Sequence, residues 1–336
     1  MKEARYFQVE DQGWVRCALC PHRCAIAPEK RGICGVRENR EGILWTLSYG
    51  RLVAQNDDPI EKKPLFHVLP GSRSLSVATV GCNLTCAHCQ NHEISQYPRR
   101  RAEIPGRDVS PQAVVDEALR LGSQTLSFTY SEPTIFMEWA QDIAERAVPA
   151  GVRCVSVTNG YTAPGPLSDL GKNLLAANVD LKGFREAFYR QVCGAQLKPV
   201  METIALLRKL GVWVEVTTLL IPGLNDSEDE LAELAAFLAS VDRAMPWHLS
   251  RFHPDHQMLD RPPTSPDSIQ RARRIGQEAG LRFVYSGNVW GDAGENTFCP
   301  ACATPLIERC GFRVQAFRLK DGACPQCGER IEGIWS

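Results

Sequence analysis

Three cysteines near the middle of the chain have a spacing that suits metal chemistry. Cys82, Cys86 and Cys89 form the pattern C-x3-C-x2-C on one short segment, directly after an apolar run typical of a β-strand. Soft thiolates bind iron–sulfur clusters, zinc or Cu(I). Three thiolates can hold three irons of a [4Fe–4S] cube, which leaves the fourth iron open to another ligand. A closed zinc site needs four ligands instead, and His88 or His92 could supply the fourth.

Two further sets of cysteines flank this segment. The C-terminal set consists of two C-x2-C pairs with 21 residues between them, which is typical of a zinc ribbon. A rubredoxin-like iron site or an auxiliary cluster is the alternative there. The N-terminal set, C-x2-C-x3-C-x9-C, suits either Zn²⁺ or a second [4Fe–4S] cluster, with zinc slightly favoured. The expected ligands are Cys17, Cys20, Cys24 and Cys34 in the N-terminal set, and Cys299, Cys302, Cys324 and Cys327 in the C-terminal set.

The composition is that of an ordinary globular protein, except for its 14 cysteines. The net charge is −1, so no overall field would attract nucleic acid or an acidic membrane. No apolar run is long enough to cross a membrane, and no secretory signal follows Met1. We therefore expect a cytoplasmic protein whose reduced thiols bind metals. The basic residues near the C-terminus are interpreted as a solvated face and do not indicate nucleic-acid binding: Arg309, Arg313, Arg318 and Lys320.

Between residues 70 and 290, short β-branched runs alternate with longer helical patterns. This alternation favours an α/β fold with a parallel sheet, and six or seven units suit a complete or partial (β/α) barrel. An open doubly wound sheet is the alternative, although no G-x-G-x-x-G opens its first helix. We expect a metal module at 1–45, the barrel at 46–295 and a zinc-ribbon-like module at 296–336. Strands are expected at 74–80, 125–130, 154–158, 178–182, 212–220, 247–252 and 281–285, and helices at 111–121, 135–147, 167–176, 187–192, 199–210, 228–239 and 269–279.

The central cysteine segment resembles the radical S-adenosylmethionine (SAM) superfamily. In that family C-x3-C-x2-C lies in the loop after the first barrel strand, and an aromatic residue usually precedes the last cysteine, a place that His88 fills. The continuation C-Q-N at residues 89–91 is similar to that of glycyl-radical activating enzymes such as the pyruvate formate-lyase activase. The resemblance implies a [4Fe–4S] cluster with SAM on its open iron, and the cluster ligands would be Cys82, Cys86 and Cys89.

Further matches follow in the order that the family has them, each at the carboxyl end of an expected strand, where barrel active sites are built. Y-S-E-P at 130–133 lies where the family has GGE, with Tyr130 and Ser131 in place of two glycines. T-N-G at 158–160 and D-L-K at 180–182 match the activases, and L-I-P-G-L-N-D at 220–226 resembles the segment that supports the adenine. By resemblance, the SAM-binding residues are Glu132 for the amino group, Asn159 near the ribose, Asp180 and Lys182 for the carboxylate, His253 near the nucleoside and His88 beside the cluster.

Most of the chain, about residues 15–330, is similar to the radical SAM component of the AmmeMemoRadiSam system. The similar pieces are C-A-L-C-P-H-R-C at 17–24, R-G-I-C-G-V-R at 31–37, D-P-I-E-K-K-P-L at 58–65 and S-G-N-V-W at 286–290. This resemblance implies partner proteins of that system. It does not define a substrate.

The resemblance implies an oxidoreductase that reductively cleaves SAM to a 5′-deoxyadenosyl radical, which abstracts hydrogen from a substrate. A one-electron donor such as a flavodoxin or ferredoxin would then be a partner. One alternative is an activase that makes a glycyl radical on a partner protein. The other is a non-catalytic metal-binding scaffold in a multi-protein system. A scaffold would need a defective cluster site, whereas all three central cysteines and Glu132 are present.

Overall fold

The computed structural model describes residues 1–289 and 291–336. Trp290, which ends the S-G-N-V-W match, lies outside the described residues. The first seven strands are β1 (Lys2–Glu3), β2 (Phe7–Val9), β3 (Val15–Cys17), β4 (Ala25–Ile26), β5 (Arg37–Arg40), β6 (Ile43–Thr46) and β7 (Arg51–Leu52).

The N-terminal module consists of two small antiparallel sheets, with the strand orders β2-β3-β4 and β1-β6-β5. The side chain of Asn39 joins the two sheets, since its Nδ2 donates to the carbonyls of Gly13 and Ile26, both at 2.8 Å. The sequence did not indicate these strands because each has only two to four residues, too few to show a period. Strand β6 crosses the boundary expected at residue 45, and the three-domain division stays a prediction.

The second group of strands forms the main sheet, apart from β10, which pairs with β7. These strands are β8 (Ala54–Pro59), β9 (Arg73–Ala78), β10 (Arg107–Asp108), β11 (Thr125–Phe128), β12 (Arg153–Thr158), β13 (Leu174–Asp180), β14 (Trp213–Leu220), β15 (Trp247–Arg251) and β16 (Val284–Gly287).

The main sheet has the strand order β8-β9-β11-β12-β13-β14-β15-β16. All neighbours run parallel except β8, which pairs antiparallel to β9 along the edge. Within the described residues β8 and β16 end the strand order without pairing with each other, so the barrel is open. This confirms the α/β fold with a partial barrel. The seven expected strands are all present, with ends that shift by at most four residues.

Helices join the parallel strands on the outside of the sheet. The serine at 110 begins one of them, because its hydroxyl accepts from the Ala113 amide at 3.2 Å, and Gly122, at φ +67°, ends it. The helices are α1 (His92–Ser95), α2 (Tyr97–Arg100), α3 (Pro111–Leu121), α4 (Met137–Ala147), α5 (Pro164–Gly171), α6 (Glu186–Phe188), α7 (Leu197–Lys209), α8 (Glu228–Val241) and α9 (Pro266–Glu278).

One expected helix is misplaced. The helix at 167–176 is instead α5, Pro164–Gly171, and residues 174–176 already belong to β13. Proline at the first helical position starts the helix earlier. Strand pairing with β12 then overrides the helix propensity of the Leu and Ala residues that follow. Among the described residues, every helix is too short or too polar to span a bilayer.

The C-terminal module packs near the amino-terminal ends of the sheet strands. It holds the antiparallel strands β17 (Thr297–Phe298), β18 (Pro305–Cys310) and β19 (Arg313–Phe317). Its apolar core joins barrel residues such as Phe66 and Phe283. Arg309 is buried here and donates to the Phe66 carbonyl at 2.8 Å. Its interpretation as a solvated residue is therefore wrong, because its guanidinium is hydrogen-bonded to the barrel.

Candidate active site

The loop between β9 and α1 carries the three central cysteines at the carboxyl end of the sheet. It passes through Gly81, whose φ of +109° favours glycine. A Cβ at this position would lie 3.0 Å from Val36 Cγ1 of the N-terminal module. On the other side, the Thr85 amide donates to the Cys193 carbonyl at 2.8 Å. The loop is thus fixed between the N-terminal module and the π-helical turn Tyr189–Cys193.

All three central thiols line one cavity of about 520 Å³. Cys86 is buried, while Cys82 and Cys89 are half-buried. The Leu84 amide donates to Cys82 Sγ at 3.3 Å, and Cys89 Sγ lies 3.2 Å from Ser95 Oγ. Burial raises the pKa of Cys82 and of Cys89, so a bound metal is needed to hold them as thiolates.

The central thiols are not gathered as closely as the sulfurs around a single metal ion. Among the described residues, the Sγ atoms of Cys82, Cys86 and Cys89 do not all lie within 4.8 Å of one another. A single zinc ion draws its sulfurs closer than this, to edges of about 3.8 Å for a Zn–S bond near 2.3 Å. In a [4Fe–4S] cluster each cysteine sulfur binds a different iron, so the cysteine sulfurs lie farther apart. Among the described residues three cysteines and no fourth line this cavity, a donor set that fits a [4Fe–4S] cluster with one open iron.

Glu132 follows β11 and is buried between two neighbouring strand ends. Its Oε1 accepts from the Thr134 amide at 3.0 Å and from the Thr158 hydroxyl at 2.7 Å. Its Oε2 accepts from the Asn159 amide at 2.8 Å. Burial raises the pKa of this carboxyl. Glu132 lines the cavity, and its Oε2 can accept a further hydrogen bond.

Asn159 connects the strand end after β12 to the cysteine loop. Its Nδ2 donates to Asn83 Oδ1 at 2.9 Å and lies 3.6 Å from Cys82 Sγ. Its Oδ1 accepts from the Tyr161 amide at 2.8 Å. The side chain is therefore fixed in orientation at the cavity wall, next to a central thiol.

Asp180 and Lys182 form an ion pair at the end of β13, with 2.9 Å between Lys182 Nζ and Asp180 Oδ2. Both line the cavity. Burial alone would lower the pKa of Lys182, but Asp180 and the thiols of Cys86 and Cys193 raise it well above its usual value. The ammonium is thus a fixed positive charge beside the central cysteines.

The two histidines expected at the site differ in position. His88 is buried and lines the cavity; within the described chain its Nδ1 has no hydrogen-bond partner. Burial and Lys182 lower the pKa of His88 to about 3. His253 is exposed and, among the described residues, is not part of the cavity lining, to which the preceding strand β15 contributes Ser250. Gln90 Nε2 lies 3.4 Å from the His253 ring.

A polar group at the sheet edge was not assigned a role from the sequence. Lys63 is buried, and its Nζ lies 2.6 Å from Asp58 Oδ2 and 4.5 Å above the Tyr130 ring. Lys62 and Lys63 line the same cavity as the cysteines. The segment D-P-I-E-K-K-P-L at 58–65 is the sequence feature that could have indicated this group. Tyr130 also has a φ of +62°, the left-handed conformation that suits the glycine it replaces.

The two flanking cysteine sets are each brought together by the fold. In the C-terminal set Cys299 and Cys327 have their Sγ atoms 3.6 Å apart, and Cys302 and Cys324 have theirs 3.7 Å apart. All four of these Sγ atoms lie within 4.8 Å of one another. The N-terminal set lines a separate small cavity, and its members are Cys17, Cys20, Cys24 and Cys34.

An α/β barrel whose strand ends hold a C-x3-C-x2-C loop, a buried glutamate and a lysine defines a class of enzymes that use an iron–sulfur cluster with SAM. The sequence model of the Radical SAM superfamily matches residues 76–235, from β9 into α8. The chain belongs to this superfamily and is an enzyme. Membership implies a [4Fe–4S] cluster and SAM as cofactors.

Relatives extend over more of the chain. An uncharacterized protein of Methanocaldococcus jannaschii is 43% identical over 335 residues, which cover 99% of each chain. The pyruvate formate-lyase 2-activating enzyme of Escherichia coli is 26% identical over 65% of this chain and 81% of its own length. The solved structure of SuiB from Streptococcus suis bound to S-adenosylmethionine has a TM-score of 0.53 at 11% identity, over 72% of this chain and 56% of that one. This last likeness concerns the fold alone.

Proposed function

We propose that this enzyme reductively cleaves SAM at a [4Fe–4S] cluster held by Cys82, Cys86 and Cys89. The observation that supports this most directly is the shared cavity. The three thiols, the Glu132 carboxylate and the Lys182 ammonium, which come from separate strand ends, all line it. When bound, the cluster and SAM together supply a 5′-deoxyadenosyl radical able to abstract hydrogen from a substrate.

The chain's own residues position SAM and exclude water. Lys182 offers a positive charge to the SAM carboxylate, with Asp180 holding the ammonium in place. Glu132 offers Oε2 to the amino group, and Asn159 offers a fixed amide near the nucleoside. These groups are already oriented by hydrogen bonds, so little reorganisation accompanies binding. His253 belongs in this set only if its loop moves toward the cavity when SAM binds.

For the C-terminal set we propose a structural zinc ion. The sulfur separations of 3.6 and 3.7 Å support this, since four sulfurs around one ion at about 2.3 Å have edges near 3.8 Å. A single iron atom has similar geometry, and metal analysis separates the two. Because this module packs at the amino-terminal ends of the strands, the metal has a structural role, away from the cysteine loop.

An activase that makes a glycyl radical on a partner protein is the second candidate. It is supported by relatives named as pyruvate formate-lyase activating enzymes, at 21 to 26% identity. Either function needs a one-electron donor of the flavodoxin or ferredoxin class. Partner proteins of the AmmeMemoRadiSam system also stay a prediction. The non-catalytic scaffold is disfavoured by the intact set of cysteines around the cavity.

The test uses full-length protein reconstituted with iron and sulfide under anaerobic conditions. We expect 5′-deoxyadenosine to form when dithionite and SAM are both added, and no nucleoside when either is left out. A loaded cluster that yields no nucleoside, with or without candidate partner proteins, would contradict the proposal and favour the scaffold. A glycyl radical signal on an added partner protein would select the activase.

A further inference from the structure

The three cysteine sets differ in how closely their sulfurs approach. In the described chain, the C-terminal set is the one group of three or more cysteine, histidine or carboxylate side chains whose ligand atoms all lie within 4.8 Å of one another. The N-terminal set does not meet this limit, although Cys17, Cys20, Cys24 and Cys34 all line one small cavity. The sulfurs of the central set also fail this limit, and in the superfamily to which the chain belongs the central set holds a [4Fe–4S] cluster.

The N-terminal cavity contains a buried positive charge with free donors. Arg37 is 1% exposed and lines the cavity together with the four thiols. One guanidinium nitrogen, Nη2, donates to Glu138 at 2.5 Å, whereas Nε and Nη1 have no partner within the described residues. Buried donors are rarely left unpaired, because desolvation without a hydrogen bond is unfavourable. An anionic group between the thiols would pair with them.

The surroundings of this cavity are continuous with the central cysteine loop. His22 lines the N-terminal cavity, and its Nε2 lies 2.8 Å from the carbonyl oxygen of Asn83, the residue after Cys82. Arg99 donates to the carbonyls of Ile33 at 2.7 Å and of Cys82 at 2.9 Å. The two cysteine sets therefore lie side by side, whereas the C-terminal module packs at the opposite ends of the strands.

We propose that the four N-terminal cysteines hold a second [4Fe–4S] cluster, and not the zinc that the spacing in the sequence slightly favoured. Four thiolates would complete the coordination of this cluster, in contrast to the open iron proposed for the central one. Arg37 would donate to its sulfur atoms and offset part of the negative charge of the site. The comparison with the central set rests on the proposed function, but the metal content of the N-terminal set can be measured independently.

The test is a triple variant, Cys82→Ala, Cys86→Ala and Cys89→Ala, in the full chain reconstituted with iron, sulfide and zinc. The second-cluster proposal predicts about four irons and four sulfides per chain with about one zinc, and an iron–sulfur absorption band that persists. About two zincs and no iron would overturn it, and so would a protein with zinc in the C-terminal set alone.

The reciprocal variant, Cys20→Ala with Cys24→Ala, keeps the test decisive if the triple variant does not fold. Its iron content should fall from about eight per chain to about four. The matched control, Cys154→Ala with Cys310→Ala, removes two thiols outside all three sets and should keep about eight. A wild type that holds about four irons and makes 5′-deoxyadenosine would reject the second cluster alone. A triple variant with four irons, beside a wild type that makes no nucleoside, would reject the proposed function alone.

Discussion

At the scale of single residues, the proposed SAM site depends on charges and donors that are fixed before any ligand binds. Lys182 is 16% exposed, and its ammonium is held against Asp180 at 2.9 Å. Its backbone is fixed as well, because the Lys182 amide donates to the Tyr189 hydroxyl at 3.0 Å. A cation that is already desolvated and oriented gives a strong bond to a carboxylate.

Replacing this lysine should weaken SAM binding. We expect Lys182→Ala to raise the Kd for SAM by about 10-fold to 100-fold, since a hydrogen bond to a charged group contributes about 1.5–3 kcal/mol. Equilibrium binding to the reconstituted protein measures this. The control is Lys172→Ala, which removes a surface lysine that is 70% exposed and paired with Asp169. Equal affinities for SAM in the two variants would show that Lys182 does not contribute to SAM binding.

The sequence indicates candidate site residues whose signal is local and does not indicate those whose signal is spatial. The three central cysteines stand out in the sequence because their spacing on one segment suits metal binding, and all three line one cavity. The group of Asp58, Lys63 and Tyr130 was missed because about 70 residues separate Tyr130 from the other two. Only the pairing of β8 with β9 and of β9 with β11 brings them together.

At the scale of elements, the cysteine loop is positioned by a turn that precedes α7. Gly194 ends the π-helical turn Tyr189–Cys193 with a φ of +69°. A Cβ built there would lie 2.2 Å from the Thr85 Oγ1. A side chain at position 194 would therefore force Thr85 of the cysteine loop to shift.

The variant Gly194→Ala should displace the cysteine loop. We expect it to lower the free energy of unfolding by about 2 kcal/mol, from a strained φ plus overpacking, and to reduce iron bound in the central set. Urea unfolding and iron analysis measure the two effects. Gly211→Ala is the matched control, since it has a φ of +82° but no atom within 4 Å of the added Cβ. It should show the backbone strain without the loss of iron, and a similar iron loss there would refute the steric argument.

The elements that the sequence predicted are those that are long or wholly buried. Most residues of strands β12 to β15 are buried, as expected for parallel strands covered on both faces. Strand β8, with the sequence A-Q-N-D-D-P, is polar and ends in proline, which suits an edge strand but does not look like a strand in isolation. Its pairing to β9 is a tertiary effect that a local pattern does not contain.

At the scale of the whole molecule, a buried polar network joins the C-terminal module to the barrel. Glu215 accepts from the amides of Phe66 and His67, at 3.0 and 2.8 Å. His67 Nε2 lies 2.6 Å from the Tyr285 hydroxyl, and its Nδ1 lies 2.6 Å from the Glu332 carbonyl oxygen. These contacts make the C-terminal module part of the folded unit.

The zinc proposed for the C-terminal module should be structural. We expect Cys302→Ser to lose about one zinc per chain and to lower the melting temperature, because metal binding and folding of such modules are coupled. Metal analysis and thermal unfolding test this, with Cys310→Ser as the control thiol outside the set. A zinc content of Cys302→Ser equal to that of the wild type would contradict the assignment of zinc to the C-terminal set.

The buried network also predicts a loss of stability in acid. Burial lowers the pKa of His67 to about 4, against about 6.5 when exposed, so the unfolded chain binds more protons between these values. The stability that neutral His67 contributes is complete above pH 6.5 and is lost as the pH falls toward 4. Between pH 7 and pH 5 this amounts to about 2 kcal/mol. In urea unfolding, His67→Gln should lack that part of the pH dependence; an unchanged dependence would contradict this assignment.

The most direct test of the central claim compares two cysteine variants after anaerobic reconstitution, with dithionite and SAM added. Cys86→Ala removes one proposed cluster ligand, whereas Cys154→Ala removes a buried thiol of β12 outside every cysteine set. The Cys154 variant is expected to form 5′-deoxyadenosine as the wild type does. The Cys86 variant should form none and keep the zinc of its C-terminal module. Formation of 5′-deoxyadenosine by Cys86→Ala at the wild-type rate would contradict the assignment of the site.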